Sequence, residues 1–205
     1  NVFTLSTSLE TQTGVSYEAG AKWYSNWIQT SLTGYFLDIE NEINVDPTRF
    51  LENINLDKTE HTGLIYEIDL YPSEQLSIGA QYTYTNTEIT AGTFAGNDIP
   101  LVAEHQMHMN ASYHFMNYWN LNAEIFFISD RNAGGNFTGS LAELDGYDVA
   151  NLNLNFDYKH FSASAKINNL LDEEYNDSAG VNFAGAVGFF PAPERNFVLT
   201  IRYDF

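Results

Sequence analysis

The chain has no cysteine, few basic residues and no long apolar run. Without cysteine there is no disulfide framework, and no thiolate to hold a metal or act as a nucleophile. Lysine and arginine number 8 against 27 aspartates and glutamates, giving a net charge of −19. Nucleic acid needs a basic surface, so it is disfavoured as a partner. Apolar residues never run for the roughly 18 positions that a membrane-crossing helix requires. Charged residues make up only 17% of the 205, whereas about 25% is usual in soluble domains. The chain opens at Asn1 without a charged and apolar leader, so a signal peptide is expected either to have been removed or to lie outside this segment. There is no Gly-x-Ser-x-Gly elbow, no His-Glu-x-x-His pair and no phosphate loop. His105 has Glu104 beside it but no nucleophile, so neither an enzyme nor a cofactor is expected.

What the chain does have is alternation. In its last residues, Phe197, Leu199, Ile201, Tyr203 and Phe205 fall on one face of a strand, and Asn196, Thr200, Arg202 and Asp204 on the other, with Val198 the one apolar exception. Many bacterial outer-membrane barrels end in such a strand with a terminal aromatic residue, and there the apolar face meets lipid instead of a core. Eight more strands read the same way. The first runs from about Gly14 to Tyr24, and the second begins at Ile28. The third turns Leu64, Tyr66, Ile68 and Leu70 outward and Glu67 and Asp69 inward. The fourth turns Leu76, Ile78, Ala80, Tyr82 and Tyr84 outward, and the fifth Met107, Met109, Ala111, Tyr113 and Phe115. The sixth does so with Trp119, Leu121, Ala123, Ile125 and Phe127. The seventh opposes Ala150, Leu152, Leu154, Phe156 and Tyr158 to Asn151, Asn153, Asn155 and Asp157, and the eighth opposes Phe161, Ala163, Ala165 and Ile167 to Ser162, Ser164, Lys166 and Asn168.

Connections alternate in length. Short turns sit at Ser25-Asn26, Pro72-Ser73-Glu74, Asn117-Tyr118 and Lys159-His160. Long polar loops are expected at about Asn44 to Asp57, Thr90 to Pro100, Asn132 to Asp145 and Asp172 to Ala192. The fold class is therefore all-β, an antiparallel up-and-down transmembrane barrel segment of about nine strands with tight periplasmic turns and long extracellular loops. Tyr24, Trp27, Tyr71, Tyr118 and Trp119 flank the short turns and would form an interfacial girdle. Nine is odd, whereas single-chain bacterial barrels have even counts, and lipid does not tolerate open edges. Either a strand lies in Val2 to Leu9, or the segment belongs to a larger barrel.

Four stretches resemble the C-terminal portion of TonB-dependent outer-membrane receptors. Tyr17-Glu18-Ala19-Gly20-Ala21-Lys22 is similar to the family's "YE-small-G-x-K" strand, and Tyr35-Phe36-Leu37-Asp38-Ile39-Glu40-Asn41-Glu42-Ile43 to its "YF-x-D-I-x-N-x-I" segment. Ile167-Asn168-Asn169-Leu170-Leu171-Asp172-Glu173-Glu174-Tyr175 resembles the "NLFD-x-x-Y" box, and Pro193-Glu194-Arg195-Asn196 leading to Phe205 the "P-x-R" terminal strand. The resemblance implies a barrel of about 22 strands, of which residues 1–205 would be the last part. It implies as partners an N-terminal plug and the remaining barrel strands, TonB acting through that plug, outer-membrane lipid and lipopolysaccharide, and a scarce nutrient ligand such as an iron-siderophore, cobalamin or haem. The implied location is the outer membrane of a Gram-negative bacterium.

Candidate ligand contacts lie on the expected loops: Phe94, Asn97, Arg131, Asn136, Phe137, Tyr147, Phe183, Phe189 and Phe190. Glu18, Lys22, Glu67, Asp69, Glu124, Asp157, Lys166, Arg202 and Asp204 should face a watery lumen, with Lys166 pairing across strands to Asp157 or Asp204. The box Asn168, Asn169 and Asp172 reads as a structural loop entry, and Asp172, Glu173, Glu174 and Asp177 as a solvated acidic loop without the spacing of a Ca²⁺ loop. His108 and His114 share the inner face but stand about 20 Å apart at ~3.4 Å per residue, too far to chelate one metal ion, and His105 is off that face. Two other readings stay open on the residues alone: a stand-alone small outer-membrane barrel with a structural or adhesive role, and a soluble acidic β-domain.

Overall fold

A computed structural model describes residues 9–46, 52–182 and 184–205. Among these there is no helix, and the secondary structure is strand throughout. In chain order the strands are β1 (Thr13–Tyr24), β2 (Ile28–Val45), β3 (Asn53–Ser73), β4 (Leu76–Ala91), β5 (His105–Phe115), β6 (Trp119–Ile128), β7 (Arg131–Asn132), β8 (Glu143–Leu144), β9 (Tyr147–Tyr158), β10 (Phe161–Asn168), β11 (Asn176–Val181), β12 (Val187–Pro191) and β13 (Asn196–Tyr203). Nine of them form one antiparallel sheet in the order β1-β2-β3-β4-β5-β6-β9-β10-β13, and β7-β8 and β11-β12 are small hairpins within two of the loops. The nine sheet strands are the nine expected from the alternation. The strand considered for Val2 to Leu9 falls, up to Ser8, outside the described residues.

The register converts the alternation of each strand into two continuous faces. Leu76, Tyr113, Leu121, Leu154, Ala165 and Leu199 are successive partners across six strands. One residue along, the row reads Ser77, Ser112, Asn122, Asn153, Lys166 and Val198. A register slip of one residue would turn every strand inside out, so the two-faced pattern fixes the pairing. The polar face knits itself together with side-chain hydrogen bonds: Ser164 Oγ donates to Asn153 Oδ1 at 2.8 Å, and Asn120 Nδ2 to Ser112 Oγ at 2.9 Å. The apolar face has no such cover. Phe197, Leu199 and Ile201 are 71%, 70% and 63% exposed, and a soluble sheet would bury such a face.

Tight turns collect at one end of the sheet. In the turn of Met116, Asn117 and Tyr118 between the paired Phe115 and Trp119, Met116 and Asn117 both have positive φ, at 51° and 60°. Aromatic rings gather at this end: Trp119 packs on Phe156 at 4.7 Å and Tyr118 on Tyr158 at 4.9 Å. Tyr24 is an exception to the expected girdle. It is level with Gln29, two residues after Lys22, and the alternation places it on the polar face.

At the other end the strands run longer than a membrane-height apolar band would need. β3 has 21 residues, about 70 Å at ~3.4 Å each, against an apolar band of roughly 25 Å. The expected loop from Asn44 to Asp57 is therefore corrected. β2 continues to Val45 and β3 starts at Asn53, paired residue by residue. Residues 47–51 lie outside the described residues. Outward positions there turn polar, with Asp38 opposite Glu60 and Glu40 opposite Lys58. Inward positions stay apolar, with Ile39, Leu56 and Ile89 all buried. The apolar outer pattern ends at this height, but strand pairing does not, because the inner face has a core to cover. Tyr35 shows how the pairing is held. Its ring lies over Gly63, where an added Cβ would come within 2.3 Å of it, and its hydroxyl reaches Thr85 at 2.8 Å.

The two faces predict opposite responses to charge. Leu154→Arg, in the middle of the apolar face, should cost about 2–4 kcal/mol in lipid, whereas Asn153→Arg, its neighbour on the polar face, should cost well under about 1 kcal/mol. Unfolding by urea in lipid vesicles, carried out on the intact protein, measures both. Equal costs would contradict the assignment of faces.

Candidate functional site

The β4–β5, β6–β9 and β10–β13 connections leave the end of the sheet opposite the tight turns, and they fold in over the polar face. The β4–β5 loop brings Ile99 against Leu56 and Ile89 of the projecting strands, and the β6–β9 loop adds Phe137 to the same buried cluster. A second cluster joins Ala133 and Leu144 of the β6–β9 loop to Ala179 of β11, with Val187 of β12 packed against it. Beneath these loops the sheet and loop walls border an open cavity of about 160 Å³, lined by Thr85, Thr87, Asp98, Glu104, Asp130, Asn132 and Glu143 among others.

The candidate loop residues fall into different environments. Phe137 is 2% exposed, and its ring stacks on Phe94 at 4.6 Å, so it supports the loops from inside. Asn136 is buried and donates to Asn132 Oδ1 and the Leu141 carbonyl. Asn97 donates from its amide to the Phe94 carbonyl at 2.8 Å, closing its own turn. Arg131 lies 5.8 Å over the Tyr147 ring, and its Nη2 donates to the Asp177 carbonyl at 3.0 Å. Tyr147 in turn packs on Tyr175 at 4.2 Å. Burial and the Asp177 carboxylate push both tyrosine hydroxyls above their ordinary range, and for Tyr147 the Arg131 guanidinium opposes that shift. Phe189 and Phe190 are 43% and 63% exposed on β12, the most open of the candidate aromatics. Phe183 lies outside the described residues. Tyr175 and Asp177 are members of the Arg131 group that sequence reasoning missed. They stand more than 40 positions from Arg131, and no local pattern marks the pairing.

The terminal box is a structural lock. Asn169 and Asp172 both take left-handed backbone, with φ of 51° and 61°, a conformation that asparagine and aspartate tolerate better than other side chains. Asn169 accepts from the Glu173 amide at 2.9 Å and donates to the Glu173 carbonyl at 2.8 Å. Asp172 pairs with Arg195 at 2.9 Å and also accepts from its backbone amide. The box after β10 and the Pro-x-Arg before β13 therefore close one loop from both sides. Asp177 is held elsewhere, beside Tyr147, and among the described residues no group of three or more acidic or histidine side chains is placed to hold a metal ion.

On the polar wall, Lys22, Ser31, Glu67, Gln81 and His108 share one row, and Gln29, Asp69, Gly79 and Asn110 the next, around a cavity of about 260 Å³. His108 stacks on Phe126 at 4.4 Å, whereas His114 contacts Asn120. The expected pairing of Lys166 with Asp157 or Asp204 is not made. Lys166 stands level with Asn153 and Val198, and Asp157 is level with Ser162, four residues along the strand. Arg202 takes Asp204 at 2.9 Å instead. Higher on this wall, Glu42 accepts from Thr59 and lies 3.0 Å from His61 Nε2. Burial alone would raise the Glu42 carboxyl, but the hydrogen bonds from His61 and Thr59, with the charge of His61, outweigh it and hold it below its ordinary value.

With this geometry in place, comparison with known proteins is informative. The family model described as TonB dependent receptor-like, beta-barrel matches residues 1–170. No curated protein sequence matches the chain. Among solved structures, the ferric-catecholate import receptor Fiu from E. coli K12 superposes with a TM-score of 0.76 at 21% identity, over 97% of this chain and 28% of that one. The ferric yersiniabactin uptake receptor FyuA from Yersinia pestis gives 0.80 at 15% identity, over 95% and 30%. The copper transporter OprC gives 0.75 at 15% identity, over 96% and 32%. The chain thus spans about three tenths of the length of these structures, and at such identities the likeness is one of fold.

The Glu42 network makes the projecting sheet sensitive to acid. Its carboxyl is depressed in the folded state, so its stabilisation is present above the unfolded value of about 4.3 and is lost as pH falls through the lower folded value. Glu42→Gln should cost about 1–3 kcal/mol at pH 7 and progressively less below pH ~4.5. Amide exchange of β2 and β3 in the intact protein, followed against pH, measures this. A cost that stays constant with pH would contradict the reading.

Proposed function

This chain belongs to the TonB dependent receptor-like β-barrel family, and from that premise we propose that it forms the last strands of a larger outer-membrane barrel that takes up a scarce nutrient. The observation that carries the proposal is a nine-stranded sheet with one bare apolar face, one polar face and every long loop at one end. Such a sheet has its apolar face in lipid, its polar face on an aqueous lumen and its loops outside the cell. The family is one of Gram-negative outer-membrane transport receptors, and neither the family nor the similar structures suggest an enzyme.

The edges favour a larger barrel over a stand-alone one. β1 and β13 are the two ends of the sheet and do not pair with each other, and unpaired backbone is not viable in hydrocarbon. Further strands of the same protein would close the wall, with about 22 in all. The polar wall around Lys22, Glu67, Asp69 and His108 would then face an N-terminal plug, through which TonB acts. The outer face would meet lipid and lipopolysaccharide.

The nutrient would be a chelated metal or cofactor, such as an iron-siderophore, cobalamin or haem. Fiu and FyuA are receptors for ferric chelates by name, in keeping with this class. Loop residues exposed to the outside, Phe189 and Phe190 first and the Arg131 group second, are the proposed contacts. Phe94 and Phe137 serve by shaping the loops.

Cells lacking the gene, grown under iron or cobalamin limitation, should lose accumulation of one compound from a panel of ferric chelates, haem and cobalamin. The loss should match that of cells without TonB. Unchanged accumulation of the whole panel would overturn the transport proposal.

A further inference from the structure

Loops normally run over a protein's surface, because a buried loop must find partners for its backbone amides and carbonyls. The stretch Ala133-Gly134-Gly135-Asn136-Phe137 breaks this rule. All five residues are buried, although they lie in the middle of the β6–β9 loop. The Asn136 amide donates to the Ala133 carbonyl at 2.9 Å within the stretch, and Gly134 and the preceding Asn132 bond the two neighbouring loops. Gly134 donates to the Ala179 carbonyl at 2.9 Å and accepts from the Val181 amide at 2.8 Å, a short parallel bridge between this loop and β11. On the other side, the Leu101 amide of the β4–β5 loop donates to the Asn132 carbonyl at 2.9 Å. A side chain on Gly134 would meet Leu101 at 3.2 Å and the Ala179 carbonyl at 3.3 Å, so the position is squeezed between both neighbours.

Side chains repeat the pattern. Phe137 reaches towards β4 and the β4–β5 loop, into the cluster of Leu56, Ile89 and Ile99. Ala133 reaches the opposite way, into the cluster with Leu144 and Ala179. Arg131, just before the stretch, bonds the Asp177 carbonyl. One five-residue segment therefore joins two apolar clusters, and its backbone and flanks bridge three loops.

We infer that residues 133–137 are a keystone that welds the β4–β5, β6–β9 and β10–β13 loops into one rigid cap over this side of the lumen. The three loops do not open one at a time. A ligand reaches the lumen when the cap moves as a body, or it passes beside the cap. Phe137 is a positioning residue in this scheme. It acts on the far β11–β12 hairpin through the buried segment and not by contact.

Hydrogen exchange on the intact protein in lipid nanodiscs tests the weld. In the unmodified protein, the amides of Leu101, Gly134 and Val181, one from each loop, should exchange through a common opening, with protection factors agreeing within about tenfold. Protection that differs by a hundredfold or more would mean independent loops and would overturn the inference. Phe137→Ala, which directly touches only the first cluster, should speed exchange of Val181 at least tenfold while the β9 amides stay protected. Faster exchange confined to residues 92–104 and 132–142 would also overturn it. The comparison in the unmodified protein decides the question even if the variant fails to fold.

Discussion

A polypeptide in hydrocarbon must satisfy every backbone hydrogen bond within itself, and the rest of this structure depends on that constraint. It permits strands only in an unbroken ladder, so each strand needs a partner on both sides. It also leaves side chains as the only groups that can differ between the two faces. Leu76, Tyr113, Leu121, Leu154, Ala165 and Leu199 on one level, and Ser77, Ser112, Asn122, Asn153, Lys166 and Val198 on the next, are the result. Apolar burial, which drives folding in water, has no protein partner on the outer face of this sheet; under the proposed function its partner is lipid.

Above the membrane the constraint changes, and so does the architecture. Water can satisfy backbone groups there, so the loops are free to become irregular, and the strands of the β2–β3–β4 region continue only where an apolar inner face rewards it. Ile39, Leu56 and Ile89 cover a small core of ordinary soluble type, sealed from outside by Ile99 and Phe137. The protein thus has two kinds of interior: a polar wall at membrane height, and an apolar one beneath the loops.

The strand count, the two faces and the end carrying the long loops were legible in the sequence because each is a local, period-two signal. The terminal box was read correctly as structural, since left-handed Asn169 and Asp172 follow from the chemistry of those side chains. Three features were not legible. The strand ends Asn44–Val45 and Asn53–Asp57 were hidden because polar residues such as Asn44, Asn53, Asn55 and Asp57 look like a loop. The pairing of Asp172 with Arg195 spans 23 positions, and the group formed by Arg131, Tyr147, Tyr175 and Asp177 spans 46. Nothing local encodes either. Phe137 had the composition of a ligand contact, an aromatic residue among glycines and asparagines, but is buried. An aromatic ring on a loop can equally well be that loop's own core.

The most direct test of the account is the mass of the native, folded protein that carries these strands, extracted from the outer membrane. The account predicts a single chain several times heavier than 23.1 kDa, in which β1 and β13 are joined through further strands of the same polypeptide. A folded, heat-modifiable species of 23 kDa would contradict it, because β1 and β13 would then have to close on each other and leave no room for a plug.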